Sequence, residues 1–298
     1  MKDLTVGIVG GGVVGQATAR SYLEHVKRVM VYDKVPERST CALGELLNEA
    51  DITFVCLPTP LGQSGIGLDT SAIDGFFSYV ASGEPNHADG RKWREKNFVL
   101  RSTVPIGTTR RLAHEYRLPN LVHSPEFLTA RCAMVDAMMP ARNVIGLPNA
   151  THRWDREICP HVSIKGILEL EKLYKDRFPS IKVHRLNSDE SEAMKLFQNG
   201  FFATKIAYWN ECRTLADKLG LDWESVMGAI LADGRIHPSH TQVPGPDGKR
   251  GFGPDTPSAC LPKDIVQLIV ELDRNGLRAD VTSAAILRNG YDRNGEKS

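Results

Sequence analysis

The chain has 298 residues, 41% of them hydrophobic, so it can bury a sizeable core and is long enough for two domains. Its formal net charge of +1 gives no electrostatic reason to expect nucleic acid or an anionic membrane surface as a partner. Its six scattered cysteines contain no C-x-x-C pair, and we find no signal peptide or membrane-spanning apolar run. We therefore expect a cytoplasmic protein without a metal site.

The first half of the chain alternates short apolar runs with helical patterns. The polar stretch 83–97 is interpreted as a surface excursion between two such runs. Because helical or loop segments separate the runs, we expect crossover connections and a parallel sheet, that is, an α/β fold of the Rossmann-type, doubly wound class. The runs predicted as strands are 4–9, 28–32, 52–57, 98–100, 121–123 and 144–147.

Helical patterns dominate after Ile164. A loop rich in Gly, Pro and His over 233–258 interrupts them, and loops of this length in compact domains are usually functional or mobile. We predict an α/β domain over 1–186 and an all-helical central domain over 187–298. The predicted helices are 164–175, 189–219 and 223–232, with two more after Cys260.

A glycine-rich turn follows the first predicted strand. Gly10, Gly12 and Gly15 have the spacing G-x-G-x-x-G. The first glycine permits the tight turn, the second lets the backbone approach a pyrophosphate, and the third allows close packing of helix and strand. Val13 and Val14 would open the helix whose N-terminus holds the phosphates. The alternative is a glycine turn in a fold that binds no nucleotide.

Asp33 lies 18 residues after Gly15, at the end of the second predicted strand. Its carboxylate would accept hydrogen bonds from the adenosine ribose hydroxyls and repel a 2′-phosphate, which favours NAD over NADP. Lys34 and Arg38 weaken that preference, because either cation could screen the carboxylate. The predicted cofactor is NAD, with Arg38 among its contacts.

One cysteine precedes a Leu-Pro-Lys-Asp run at 260–264. Pro262 suits the first position of a helix, because its missing N–H would have no partner there. Cys260 would then lie at the helix N-terminus, which favours a thiolate, with Asp264 in the first turn. The residues alone leave two interpretations open: a nucleophile beside a carboxylate, or a buried cysteine beside an aspartate that the helix dipole favours.

Further stretches follow the glycine turn in a fixed order. They are "CLPTP" (56–60), "STVPIGTT" (102–109), "SPEFL" (124–128), "EAMKLFQNGFFATKIAYWNE" (192–211), "GRI" (234–236), "GFG" (251–253) and "CLPKD" (260–264). This series resembles the UDP-glucose/GDP-mannose dehydrogenase family from about residue 4 to about residue 290. That family oxidises the primary alcohol of a nucleotide sugar, such as UDP-glucose, to a carboxylate and passes two hydrides to two successive NAD molecules. A cysteine holds the intermediate aldehyde as a thiohemiacetal and then a thioester.

The resemblance assigns roles to four residues of the predicted helical domain. Cys260 matches the family nucleophile, and Asp264 matches an aspartate that helps to orient water. Lys195 and Asn199 are four residues apart on one face of a predicted helix and would stabilise an alkoxide or thiohemiacetal oxyanion. A lysine at helical spacing is otherwise a solvated side chain. Glu192 lies on the same stripe and is interpreted as a partner of Lys195.

Other implied site residues lie in the predicted α/β domain. Glu126 matches the general base toward the thioester water, the alternative being a surface carboxylate after a turn. Thr103 matches a threonine that positions water or cofactor, and Pro58 and Thr59 would lie near the ribose and phosphates of the cofactor. The residues expected at the substrate are Glu126, Phe127, Leu128, Lys195, Asn199, Arg235, Gly251, Phe252 and Gly253.

Dimerisation is expected from the long helix predicted over 189–219. Its aromatic residues, five of which fall between 197 and 209, cannot all face one narrow stripe, so a core or a second copy must cover several sides. The family uses this helix at its dimer contact, where Arg235 matches an arginine that reaches the partner's substrate; a plain surface arginine is the alternative. We expect a homodimer.

Three features depart from the family pattern. Ala130 stands where the family carries a second glutamate, and the segment 254–259 separates Gly253 from Cys260. The resemblance also omits the C-terminal domain that grips the nucleotide in the family. We therefore expect a smaller alcohol substrate, a grip supplied by a partner chain, or weak affinity for nucleotide sugars.

Two other functions remain open at this stage. One is a two-electron dehydrogenase of the β-hydroxyacid type acting on a small alcohol, which needs no cysteine nucleophile. The other is a non-catalytic NAD-binding protein. The combination of Glu126, Lys195, Asn199, Cys260 and Asp264 speaks against the second, because a pure binder has no need of all five.

Overall fold

The computed structural model describes residues 1–83, 91–148, 163–253 and 259–295. The chain divides into two compact units. The first unit comprises Met1–Thr59 and Asp69–Met194, and the second comprises Pro60–Leu68 and Lys195–Ser298.

The first unit is built on a seven-stranded sheet with the strand order β2-β1-β3-β4-β5-β6-β7. The strands are β1 (Thr5–Val9), β2 (Arg28–Tyr32), β3 (Ile52–Val55), β4 (Asn97–Leu100), β5 (Leu121–His123), β6 (Asn143–Leu147) and β7 (Val183–Asn187). The predicted α/β class is confirmed. The prediction of a wholly parallel sheet is wrong at one pair, because β5 and β6 are antiparallel. The connection between β5 and β6 enters the sheet again at the end where β5 stops, so β6 runs in the opposite direction to β5.

The helices predicted after Ile164 lie close to their predicted positions, whereas those between the first strands were expected only as helical or loop segments without bounds. The observed helices are α1 (Val13–Tyr22), α2 (Leu43–Glu49), α3 (Ser71–Ser82), α4 (Arg91–Arg94), α5 (Thr108–Glu115), α6 (Ala133–Met138), α7 (Ile164–Arg177), α8 (Ser188–Leu219), α9 (Trp223–Leu231), α10 (Cys260–Arg274) and α11 (Asp280–Asn294). None of the helices in the described part of the chain combines the length and apolar content needed to cross a bilayer.

One strand, β7, was not predicted, and one helix, α4, lies where no helix was expected. β7 has the sequence Val-His-Arg-Leu-Asn, whose polar content hides a strand at the edge of the sheet. α4 lies in the stretch interpreted as a surface excursion. That interpretation is wrong at Trp93, which is buried and donates a hydrogen bond to Asn48 across 3.0 Å.

The sheet is buried on both faces, because every residue of β1 and β3 is buried. One face packs against Leu46 of α2, Phe77 of α3 and Leu112 of α5. The other face packs against α1 and α7, where the rings of Tyr22 and Phe54 stack at 5.6 Å. This two-sided burial leaves the loops at the carboxyl ends of the strands to carry the functional side chains.

The second unit consists mainly of α9, α10, α11 and the later turns of α8. Its apolar centres include Ala203, Phe252 and Ile265 in one cluster and Trp209 and Trp223 in another. α10 begins at Cys260, two residues before the predicted start. The proline after it is tolerated because none of the first N–H groups of a helix has an intrahelical partner.

Candidate active site

The glycine turn after β1 has the backbone that its spacing predicts. Gly10 has φ +100°, and an added Cβ there would lie 2.4 Å from the carbonyl oxygen of Cys56. A Cβ on Gly15 would lie 1.8 Å from the carbonyl oxygen of Gly10. Gly12 is the N-cap of α1, and nothing lies within 4 Å of its would-be Cβ. This open space before the N-terminus of α1 fits a pyrophosphate.

Asp33 borders the glycine turn, as the sequence predicted. One carboxylate oxygen accepts the N–H of Gly11 at 2.6 Å, and the other accepts the N–H of Val35 at 2.8 Å. Each oxygen can accept a second hydrogen bond, so the carboxylate retains capacity for ribose hydroxyls. Arg38 also lies at the turn, because a Cβ on Gly11 would lie 3.0 Å from the Cβ of Arg38. Val13 is exposed and Val14 is half-buried at the start of α1.

Thr59 and Thr103 lie side by side beyond β3 and β4. The hydroxyl of Thr59 donates to the carbonyl oxygen of Thr103 at 2.8 Å, and both residues are buried. The neighbouring hydroxyl of Ser102 donates to the carbonyl of Leu57 at 2.6 Å. These two hydrogen bonds hold the segments that follow β3 and β4 together. Pro58, which lies between Leu57 and Thr59, is exposed.

Glu126 is buried, so the alternative of a surface carboxylate is wrong. Its carboxylate accepts the N–H of Leu128 at 2.5 Å, which closes a tight turn around Phe127. The guanidinium of Arg142 lies 4.0 Å above the ring of Phe127, a cation–π contact that fixes the ring. Phe127 and Leu128 are half-buried.

In the second unit, Asp264 lies at the centre of a buried polar group. Its carboxylate accepts the side-chain amide of Asn199 at 2.6 Å and the ammonium of Lys263 at 2.6 Å. Lys195 is also buried, so it is not a solvated surface lysine. Cys260 is exposed at the first position of α10, one turn before Asp264 on the same helix face. The structure thus brings together Asn199 and Asp264, which the sequence separates by 65 residues.

The glycine loop 251–253 is held by side chains that the sequence analysis missed. The N–H of Gly251 donates to Asn210 at 3.1 Å, and the N–H of Phe252 donates to Asn289 at 2.6 Å. A Cβ on Gly253 would lie 2.6 Å from the guanidinium carbon of Arg293. Asn210 stands within a stretch that the resemblance singled out, whereas nothing in the local sequence marks the two side chains of α11.

Lys263 was also missed, although it stands inside the "CLPKD" stretch. Its side chain is buried against Asp264. The only sequence signal for this role was a lysine next to an aspartate in the first turn of a helix.

Arg235 is exposed, and its guanidinium pairs with Asp233 two residues earlier. Ala130 begins a short 3₁₀ helix, Ala130–Cys132. Most of the predicted insertion, residues 254–258, lies outside the described residues.

Glu192 has a function that its spacing from Lys195 did not indicate. The side chain is fully buried, and its carboxylate accepts the N–H of Gly107 at 2.6 Å and both the N–H and hydroxyl of Thr109 at 2.8 and 2.6 Å. It therefore caps the N-terminus of α5, which has no cap from its own segment. Burial raises the pKa of Glu192 to about 8.

Within the described ranges, no group of three or more His, Cys, Asp or Glu side chains is placed to hold a metal ion.

Two domain models of the same protein family match this chain. Residues 37–162 match the model of the UDP-glucose/GDP-mannose dehydrogenase family NAD binding domain, and residues 189–291 match the model of the central domain of the same family. The glycine turn and Asp33 precede the first matched range, so they are additional to it.

Among curated proteins, the chain is 28% identical over 232 residues to a UDP-glucose 6-dehydrogenase of Campylobacter jejuni. The alignment covers 78% of this chain and 51% of that protein, so the chain spans about half the length of this relative.

Two solved structures share the fold. A UDP-glucose dehydrogenase from Pyrobaculum islandicum has a TM-score of 0.74 at 24% identity, covering 97% of this chain and 68% of that chain. The 3-hydroxyisobutyrate dehydrogenase of Mycobacterium tuberculosis has a TM-score of 0.66 at 18% identity, covering 95% of this chain and 91% of that chain.

Proposed function

Because the chain belongs to the UDP-glucose/GDP-mannose dehydrogenase family, we propose that it oxidises the primary alcohol of a nucleotide sugar to the carboxylate through a thiohemiacetal and a thioester on Cys260. UDP-glucose is the first substrate to test, because the Campylobacter jejuni relative is named UDP-glucose 6-dehydrogenase. The observation that carries the proposal is the exposed Cys260 at the start of α10, one turn before the buried Asp264 with its two hydrogen-bond partners.

Cys260 would act as the covalent catalyst. Its thiolate adds to the aldehyde carbon, the C–S bond forms, and the carbonyl oxygen becomes an oxyanion. Lys195 and Asn199 would stabilise that oxyanion. The amide of Asn199 has two N–H groups, and because one donates to Asp264, the side chain is held in one orientation with the second N–H able to bond the oxyanion.

Glu126 would act as the general base that releases the product. It takes a proton from the water that attacks the thioester carbon, and cleavage of the C–S bond returns the thiolate of Cys260. The hydrogen bond from Leu128 restricts the rotation of the Glu126 carboxylate. Asp264 would help to orient this water, and Thr103 would position it or the cofactor.

NAD, when bound, accepts the hydride in each of the two oxidations. The residues that would hold it are Gly10, Gly12, Val13, Val14, Gly15, Asp33, Arg38, Pro58, Thr59 and Thr103. Their geometry fits a dinucleotide, since the glycine turn leaves open space at the α1 N-terminus and Asp33 borders that turn. We propose that the cofactor domain spans 1–186 and the helical domain spans 187–298.

A homodimer is proposed from the surface of α8. Five large apolar side chains on this helix are more than half exposed, and they fall within an arc of about 40° at 100° per residue. A continuous apolar stripe of this kind is typical of a helix that packs against a second copy. The residues of this stripe are Phe197, Phe201, Tyr208, Leu215 and Leu219.

We propose a cytoplasmic location on the basis of the thiols. None of the five cysteines in the described part of the chain forms a disulfide bond, as is usual in a reducing compartment.

The decisive experiment is covalent trapping. Native protein, Cys260→Ser and Cys260→Ala are each incubated with UDP-glucose and NAD, and intact masses and NADH yield are measured. We expect an adduct with the mass of the whole oxidised nucleotide sugar on the native protein alone, and two NADH per UDP-glucuronate. Both variants should lose the four-electron reaction by on the order of 10³-fold or more. An unmodified native protein with undiminished turnover in the variants would contradict the proposal.

A second candidate follows from the fold. The 3-hydroxyisobutyrate dehydrogenase of Mycobacterium tuberculosis shares the fold over 91% of its own length, so a two-electron oxidation of a small alcohol is the alternative. That reaction would yield one NADH per product and would be indifferent to Cys260→Ser. Binding of NAD without NADH from nucleotide sugars or simple alcohols would instead indicate a non-catalytic binder.

A further inference from the structure

The glycine loop 251–253 leads the chain toward α10, the helix that begins at Cys260. The ring of Phe252, between the two glycines, is 2% exposed and lies in an apolar cluster with Ala203 of α8 and Ile265 of α10. This ring is therefore an anchor in the core of the second unit rather than a surface for a ligand. The position of the loop is fixed from inside the same unit that carries Cys260.

Two side chains of α11 hold the backbone of the glycine loop. Asn289 accepts the N–H of Phe252 at 2.6 Å. The guanidinium of Arg293 lies against Gly253, because a Cβ added there would lie 2.6 Å from its Cζ and 2.7 Å from its Nη2. The same guanidinium donates to Asp247, earlier in the same loop region, at 2.6 Å, and the Arg293 side chain is only 6% exposed. Asn289 and Arg293 are four residues apart, so one face of α11 carries both contacts.

The two glycines of the loop are matched to these two side chains. A Cβ on Gly251 would lie 2.4 Å from Oδ1 of Asn289, and the positive φ of +77° at this residue also disfavours a side chain. Gly253 does not have a positive φ, so the constraint there comes from the Arg293 guanidinium. The absence of a side chain at Gly253 therefore reflects its contact with α11, whether or not a ligand also approaches it.

On the basis of the proposed function of Cys260, we propose that Asn289 and Arg293 are positioning residues for the reaction at that thiol. They act through the glycine loop: by fixing its backbone they fix the path on which the chain enters α10, and so the place of the nucleophile relative to the sugar. A displacement of about 1 Å between reacting groups can lower the rate on the order of 10²-fold, so a support that lies away from the chemistry can control it.

The first test removes the hydrogen bond from Asn289. In Asn289→Leu we expect the amide of Phe252 to exchange with deuterium faster, measured by NMR, and kcat/KM for UDP-glucose to fall about tenfold. KM for NAD should not change, because every residue proposed to hold the cofactor lies in the first unit. Asn289→Asp keeps an acceptor oxygen in the same place and should restore both the exchange rate and kcat/KM. Asn294→Leu, at an exposed asparagine of the same helix, is the control.

The second test is a double-mutant cycle, which also carries the inference if Asn289→Leu does not fold. Gly253→Ala displaces the Arg293 guanidinium and should lower kcat/KM for UDP-glucose about tenfold. In the Arg293→Ala background the same Gly253→Ala change should have little further effect, because the atoms that it displaces are gone. Such non-additivity identifies a direct contact between the two residues, whereas independent losses of stability would add.

Two results would overturn the inference and leave the proposed function standing. In the first, the native protein oxidises UDP-glucose, and Asn289→Leu keeps the native kcat/KM while the Gly253 and Arg293 changes add. In the second, the variants lose affinity for UDP-glucose and NAD to the same extent, which would assign α11 a role in stability alone. A native protein that forms no NADH from UDP-glucose would instead contradict the proposed function, and the positioning role would fall with it.

Discussion

The side-chain amide of Asn199 donates to the carboxylate of Asp264 across 2.6 Å and so joins α8 to α10 in the helical unit. The ammonium of Lys263 occupies the other carboxylate oxygen. All three side chains are buried, so Asp264 neutralises a buried cation and orients an amide proposed to stabilise the oxyanion.

Asp264→Asn should destabilise the fold strongly, because it removes the carboxylate charge that pairs with the buried ammonium of Lys263. We expect a loss of about 3–5 kcal/mol in the free energy of unfolding, measured by urea denaturation. The double variant Lys263→Met/Asp264→Asn should lose less than the sum of the single variants. Asp176→Asn, which breaks an exposed pair with Lys172 on α7, is the control and should cost less than about 1 kcal/mol. Additive effects of the two single changes would contradict the coupling.

The stability of the protein should fall as the pH rises toward 9, and Glu192 should account for part of the fall. Its folded pKa of about 8 lies above the ordinary value of 4.5, so protonation is favoured by folding. The contribution is therefore complete below about pH 4.5, declines as the pH rises and is gone above pH 8, with a total size on the order of 5 kcal/mol. Urea unfolding at pH 6 and pH 9 measures the part that is lost between pH 6 and pH 8, roughly 3 kcal/mol.

The glutamine variant separates Glu192 from other groups. In Glu192→Gln the difference in unfolding free energy between pH 6 and pH 9 should be smaller than in the native protein. The control is Glu211→Gln, a substitution at an exposed position of the same helix, which should keep the native difference. An unchanged pH dependence in Glu192→Gln would show that the carboxyl does not titrate in this range.

Cofactor choice should depend on Asp33. Asp33→Ser removes the carboxylate proposed to bind the ribose hydroxyls and leaves Arg38 beside the turn, where it can meet a 2′-phosphate. We expect the ratio of NADP to NAD dissociation constants to fall at least about tenfold, measured by calorimetry. Asp3→Ser, at an exposed aspartate, should leave that ratio unchanged. An unaltered ratio in Asp33→Ser would remove this residue from the cofactor site.

The apolar stripe on α8 should hold two copies together. Phe201→Glu places a charge in the middle of the stripe, so desolvating it in an interface should be costly and the dimer should dissociate. Light scattering after size-exclusion chromatography should then give one chain mass instead of two. Leu277→Glu, at another exposed leucine, should keep the native mass. A native protein that is monomeric at every concentration would refute the dimer.

Prediction from the sequence succeeded where the signal is local. Strands β2 and β5 were predicted with their observed bounds, and Gly10 shows the positive φ that a tight turn requires. It failed where the partner is remote or the pattern is weak. The antiparallel β6 depends on the route of a connection, and β7 is too polar to be recognised as an edge strand.

Apolar alternation and glycine spacing by themselves determined the α/β class and the glycine turn, because each signal is complete within one strand or turn. The candidate catalytic residues came instead from the resemblance of the ordered stretches to a known family. The tertiary structure alone decided that Glu192 caps a helix 83 residues earlier and that Asn289 and Arg293 hold the loop at 251–253. Such partnerships depend on where the folded chain returns, and short-range patterns carry no record of that path.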